Sequence, residues 1–228
     1  MPVEGQGVKY MVDIVLCIDA TGSMRSIIER VKAAAVRFPD DLDKEMRSWS
    51  KSIDSLRIKV IAFRDYFADG TAAMVESKFF QFPSDRDEFA GFVKKVTATG
   101  GGDEPENGLE ALVLAIRSDW TKTGEKRRHI ISVFTDTSAH PLEKGVTEKP
   151  VGYLADGPKN LNELTNMWEG QSYMEGNARR LLLFAPDADP WSRIANEWEN
   201  TIQHASKAGE GLSDIDYKTI LSVIARSV

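Results

Sequence analysis

The sequence predicts an α/β protein: a Rossmann-like, doubly wound, mainly parallel sheet flanked by helices. Three observations carry this. Apolar runs of strand length, rich in Val, Ile, Leu and Phe, occupy residues 12–18, 56–63, 129–135 and 181–185. Between them lie segments whose apolar residues recur at three- and four-residue steps, the helical period. Two of the runs end on a carboxylate, Asp19 and Asp136, and open α/β sheets bind ligands outside the carboxyl ends of their strands.

The elements follow in order. Residues 12–18 read as a buried strand, and Met24, Ile27, Ile28, Val31, Ala34, Ala35 and Phe38 as one face of a helix. That pattern fades at Phe38-Pro39, because proline lacks the amide proton and disfavours helix in the residue before it. Residues 40–47 continue it as a charged helical piece beyond a kink. A strand at 56–63 closes on Arg64-Asp65-Tyr66. Residues 75–82 read as one polar strand, with Glu76 and Lys78 fitting a sheet edge. A short helix beginning at 83–85 carries Phe89, Phe92, Val93 and Val96 on one face. After a glycine-rich loop at 97–102 comes a helix with Leu109, Leu112, Val113, Ile116 and Trp120 on its inner face. A basic connection, 122–128, leads to the strand at 129–135.

Residues 139–177 form a long mixed connection with one helix at 161–173; connections of that length are often functional. The strand at 181–185, a helix at 190–198, a strand at 201–206 and a last helix at 213–225 complete a single expected domain over residues 1–228.

Composition narrows the function. With 42% hydrophobic and 28% charged residues the chain reads as soluble and globular. Its net charge of −6 argues against nucleic acid or an acidic membrane surface as the main partner. No apolar stretch approaches a membrane span and no signal-peptide pattern opens the chain. The one cysteine, Cys17, excludes a disulfide framework within the chain and reads as a small buried apolar residue. A reducing, cytoplasmic location is expected.

Three stretches carry candidate chemistry. In Asp19-Ala20-Thr21-Gly22-Ser23, a carboxylate and two hydroxyls at i, i+2 and i+4 share a strand-to-helix turn, and hard oxygen ligands of this kind suit magnesium. Thr21 or Ser23 acting as a helix N-cap is the simpler alternative. In Gly100-Gly101-Gly102-Asp103-Glu104-Pro105-Glu106, glycines permit close backbone approach, while Asp103 and Glu106 have the spacing of a capping box. In Phe134-Thr135-Asp136-Thr137-Ser138, Asp136 repeats the placement of Asp19, with an Asx turn as the alternative.

These three stretches resemble the metal-ion-dependent adhesion site of von Willebrand factor A (VWA) domains. That family uses Asp-x-Ser-x-Ser after the first strand, a Thr in a Gly-Gly-Thr loop and an Asp after the fourth strand. Here Thr21 stands for the first Ser, and Asp103 stands where the family has Thr. The resemblance spans about residues 10–228. It is nearest to intracellular VWA domains associated with alpha-kinases, which have similar Asp-Ala-Thr-Gly-Ser-Met and Gly-Gly-Gly-Asp stretches. It implies the VWA fold, no catalysis, and one Mg2+ (Mn2+ or Ca2+ as alternatives) held by Asp19, Thr21, Ser23, Asp103 and Asp136. An open coordination position would take an acidic side chain of a protein partner. An anionic Asp103 would hold the cation more tightly but leave it less attractive to such a partner. Thr99 is the fallback for the missing hydroxyl.

The expected function is therefore a cytoplasmic, metal-dependent protein-interaction module. The competing reading is a magnesium-dependent phosphatase or phosphotransferase. Against it, the aspartyl-phosphate enzymes of the haloacid dehalogenase class want a second Asp where Thr21 stands, and no Walker-type run is present. His129, His140 and His204 are read as structural or surface residues. Segment 139–177, with Tyr153, Trp168, Tyr173 and Met174, is expected to join the 21–23 and 100–106 loops in one partner-binding face. Within it, 151–157 is expected to be replaceable without loss of the fold.

Overall fold

A computed structural model describes residues 8–35, 37–102, 104–210, 212–213 and 215–228. Its strands are β1 (Val8–Asp19), β2 (Lys51–Phe63), β3 (Met74–Glu76), β4 (Phe80–Phe82), β5 (Arg127–Phe134), β6 (Arg179–Pro186) and β7 (Thr201–Ser206). They form one sheet in the order β3-β2-β1-β5-β6-β7, with β4 also on β2. The β2-β1-β5-β6-β7 pairings are parallel, while β3 and β4 are antiparallel to β2. The helices are α1 (Arg25–Ala35), α2 (Phe38–Ser48), α3 (Tyr66–Asp69), α4 (Arg86–Lys95), α5 (Gly108–Ile116), α6 (Leu142–Glu148), α7 (Leu161–Glu169), α8 (Trp191–Glu197) and α9 (Tyr217–Ser227). No helix among the described residues is long and apolar enough to cross a membrane.

β1 explains the layering. Val12, Ile14, Leu16 and Ile18 face a core shared with Met24, Ile27, Leu42, Phe89 and Ile224. Val15 and Cys17 face the opposite core, with Leu112, Ile116, Trp168 and Trp191. A strand covered on both faces needs apolar residues at consecutive positions, so its sequence runs rather than alternates. Burial pushes the Cys17 thiol well above its ordinary pKa, as befits an inert core residue.

Several elements differ from expectation. Pro39 stands in the first turn of α2, where its missing N–H would be unpaired anyway, and so the helix starts there afresh. The single strand expected at 75–82 is two short ones. Between them the Ser77 hydroxyl accepts the Val60 N–H (2.9 Å) and donates to the Lys78 carbonyl (2.7 Å), interrupting the backbone ladder. Trp120 lies beyond α5, buried, its indole N–H donating to the Ile116 carbonyl. Segment 139–177 holds α6 as well as α7, and α7 ends at Glu169 rather than near 173. The last helix starts at Tyr217, because the Asp216 side chain caps it by accepting the Thr219 N–H.

Candidate functional site

The parallel strands all end on one edge, and the three candidate stretches leave the sheet there. Asp19 is the last residue of β1 and is fully buried. Its Oδ1 accepts from the Thr21 N–H (2.9 Å) and hydroxyl (2.7 Å), and its Oδ2 from the Thr135 hydroxyl (2.7 Å). Thr21 is extended and makes no side-chain cap to the following 3-10 turn, so its hydroxyl serves Asp19 instead. Ser23 Oγ lies 3.4 Å from Thr21 Oγ1 and donates to Asp136 Oδ1 across β1 and β5 at 3.0 Å. Asp19, Thr21, Ser23 and Asp136 are thus one connected oxygen set. Burial pushes the Asp19 carboxyl up to about 6, aided by the negative charge of Asp136 and opposed by the Thr21 and Thr135 hydrogen bonds.

Adjacent oxygens around an octahedral magnesium, with bonds of about 2.0–2.1 Å, stand about 2.9 Å apart. The separations 2.7, 3.0 and 3.4 Å from Asp19 to Thr21, Ser23 to Asp136 and Thr21 to Ser23 lie around that value. Two carboxylates and two hydroxyls form a donor set that could hold a hard divalent cation. Among the described residues no three Asp, Glu, His or Cys side chains converge on one point, so hydroxyls are needed to complete it. Asp103 lies outside the described residues. The Thr99 hydroxyl sits 3.5 Å from that of Thr97, while its N–H donates to the Ala20 carbonyl.

Glu106 is not in the first turn of the following helix, as a capping box would require. α5 begins at Gly108, with Asn107 as its N-cap. Glu106 instead bridges to Ala139, its N–H donating to the Ser138 carbonyl and its carbonyl accepting the His140 N–H. Its carboxyl is buried, and Oε2 has no hydrogen-bond partner. Burial, then the charges of Asp19, Asp65, Asp69 and Glu104, push Glu106 up to about 8. Neither Asp19 nor Glu106 forms an ion pair among the described residues. The glycine loop threads this acidic surround. Gly101 has φ +81°, and a Cβ there would lie 2.9 Å from both Glu106 Oε1 and Thr21 Cγ2. Its N–H donates to Asp69 Oδ2 at 2.9 Å.

Arg64, a buried residue given no role in the sequence beyond closing a strand, scaffolds the site. Its Nε donates to the Ala20 and Thr99 carbonyls, and its two terminal nitrogens to those of Ala72 and Thr97. An arginine directly after an apolar strand was the available signal. The loop after β7 also reaches the site, through the Gly209 N–H on the Asp136 carbonyl (2.8 Å).

In the long connection, Trp168 and Met174 are core residues, and Tyr153 is an anchor rather than a free contact. The Tyr153 hydroxyl donates to Glu110 Oε1 (2.9 Å), and its ring packs so closely on Gly145 that a Cβ there would lie 2.2 Å away. Segment 151–157 is therefore not a passive linker. Val151, in contrast, is 72% exposed and lies beside Gly70, next to the Asp69 that holds Gly101. Each histidine packs on an aromatic ring: His129 stacks on Trp120, His140 sits against Phe67, and His204 stacks on Phe184.

No family model matches the chain. Over 132 residues it is 26% identical to the alpha-protein kinase vwkA of Dictyostelium discoideum, a match that takes in 58% of this chain and 19% of the kinase. Its fold is similar to that of a von Willebrand factor type A protein from Catenulispora acidiphila (TM-score 0.56, 15% identity, 93% of this chain and 42% of that one). It is likewise similar to the pilus adhesin SpaC of Lactobacillus rhamnosus GG (TM-score 0.55, 11% identity, 97% and 31%). The chain thus spans less than half the length of each. At these identities the structural likeness establishes the VWA fold, as the sequence led one to expect, and the kinase match agrees with the resemblance to alpha-kinase-associated domains.

Proposed function

We propose, from the premise of a VWA fold, that the chain is a metal-dependent protein-interaction module rather than an enzyme. The observation that carries this is the oxygen set at the carboxyl edge of the sheet, with Asp19 buried among hydroxyls and paired with no cation among the described residues. Asp19, Thr21, Ser23 and Asp136 would hold one Mg2+, and the Asp103 loop would border it. When bound, the ion would supply an electrophilic position for a carboxylate of a protein partner. The chain's own residues do the rest. Thr135 and Thr21 fix the Asp19 carboxylate, Ser23 ties the first loop to Asp136, and Arg64 and Asp69 hold the surrounding loops. Exposed Val151 gives the same edge an apolar contact point.

Phosphoryl transfer through Asp19 is disfavoured by the residue two positions on. The aspartyl-phosphate enzymes of the haloacid dehalogenase class want a second Asp where Thr21 stands, and here the Thr21 hydroxyl donates to Asp19 instead of supplying an acid or base. Calorimetric titration of chelator-treated protein with Mg2+ and Mn2+ tests the metal. Saturable binding of one ion per chain is expected, and no binding at millimolar metal defeats the proposal. A pull-down with and without chelator then tests the partner, which should be recovered only with metal.

A further inference from the structure

The opposite edge of the sheet, where the parallel strands begin, bears several cations. Lys51 Nζ lies 5.6 Å and Arg128 Cζ 5.3 Å from the centroid of the buried Tyr10 ring. The two charges are no farther apart than the sum of those distances. Arg128 alternates with Ile130, and Arg180 with Leu182, both in the core beneath α1 and α9, so both arginines lie on that face. The β5–β6 register sets Arg180 against Ile130, diagonal to Arg128. Burial, then the charge of Arg128, hold the Arg180 guanidinium below its ordinary pKa. On the other flank, Lys51, Trp49 and Arg226 line a hollow of about 460 Å³, with Arg226 Cζ 6.0 Å above the Trp49 ring.

None of these four cations has an ion-pair partner among the described residues. The hydrogen bonds of Arg128 and Arg180 go to backbone carbonyls of Arg127, Asn177 and Arg179. Asp216, which lines an adjoining hollow with Arg226, is engaged in capping α9. Some cations of this acidic chain do find carboxylates, as Arg57 does Asp13 and Arg86 does Asp40. Like charges set side by side, as Arg128 and Arg180 are, are unfavourable unless an anion neutralises them.

We propose that Lys51, Arg128, Arg180 and Arg226 form a binding site for a phosphate-rich anion, a ligand with two or more adjacent phosphates. Guanidinium forks beside an ammonium match tetrahedral, multiply charged oxyanions better than the single, widely spaced charges of a carboxylate peptide. Base stacking is not what the site offers, because the Tyr10 and Trp49 rings already lie against cations. The adjacent phosphates could belong to a free polyphosphate or to a phosphorylated lipid headgroup.

The test is titration of the intact chain with inorganic tripolyphosphate, read by calorimetry and by the fluorescence of the exposed Trp49. Saturable binding that weakens with added salt is expected, falling roughly tenfold in Lys51→Gln and in Arg226→Gln. Because Arg128 and Arg180 are half-buried, their Gln variants are scored only if circular dichroism shows the native fold, and they should weaken binding similarly. Co-sedimentation with phosphatidylcholine vesicles carrying phosphorylated phosphatidylinositol assigns the phosphates to a lipid. Tripolyphosphate binding without co-sedimentation assigns them to a free ligand. Absence of saturable tripolyphosphate binding overturns the proposal. So does binding that survives both Lys51→Gln and Arg226→Gln, or a polyglutamate peptide or single-stranded oligonucleotide that binds more tightly at the same salt.

Discussion

Asp13 and Asp19 lie on the same face of β1 and are buried alike, at 2% and 0% exposure, yet their surroundings are opposite. Asp13 receives a two-pronged contact from Arg57, 2.8 Å to Oδ1 and 2.7 Å to Oδ2, and the Thr121 N–H as well. Asp19 receives two hydroxyls and one amide and, among the described residues, no cation. Burial of a carboxylate therefore does not by itself mark a site. The first residue is a closed ion pair that joins β1 to β2. The second has hydrogen bonds enough to fix its orientation but nothing to neutralise its charge.

The largest expected effect is on Asp13. Asp13→Ala leaves the Arg57 guanidinium without its partner, and breaking a buried pair removes about 3–5 kcal/mol. The low end applies, since the Arg57 side chain is 21% exposed. Urea unfolding measures this, and Mg2+ affinity of the folded protein should be unchanged. Asp19→Asn should do the reverse. Metal-free stability holds or rises, while Mg2+ affinity falls at least about 100-fold; a stability loss matching that of Asp13→Ala would erase the distinction drawn here.

Glu106→Gln sharpens it further. If the buried carboxylate supports the ion from behind Gly101, affinity falls about 10- to 100-fold with no loss of thermal stability. Unchanged affinity in calorimetry would make Glu106 a structural residue of the α5 approach. The smallest effect belongs to the Asp13 end. Burial holds His129 below the ordinary value of 6.5, opposed by its bond to the Thr121 carbonyl and by the charges of Asp13 and Glu175, while Arg127 adds to the lowering. The unfolded chain then takes up the proton first as pH falls. The stability His129 contributes is complete above pH 6.5 and is lost from there down through its folded pKa, by at most about 1.4 kcal/mol per pH unit. His129→Gln should flatten that part of the urea-midpoint-versus-pH curve.

The long apolar strands were legible because both faces of the sheet are covered. The early part of β2 was not, since Lys51, Ser52, Asp54 and Ser55 look like a loop. α6 was hidden by its brevity and by Gly145, which is there to admit the Tyr153 ring. At the site, the strand-end rule placed Asp19 and Asp136 together, and the turn brought Thr21 and Ser23 with them. Glu106 was masked because its spacing from Asp103 imitates a capping box, whereas α5 starts two residues beyond Glu106. No one-dimensional pattern distinguishes a carboxylate that faces a peptide N–H from one that faces another carboxylate.

The Arg64 guanidinium, shared among the carbonyls of Ala20, Ala72, Thr97 and Thr99, limits how this edge can change over evolution. Surface loops ordinarily absorb insertions and deletions one at a time. Here one added residue displaces the chain by about 3.8 Å per Cα step, more than a hydrogen bond tolerates. A length change between Phe63 and Ala73, or between Val96 and Gly100, would pull a carbonyl off a fork whose other prongs stay engaged. These loops are thus bound to one another in length.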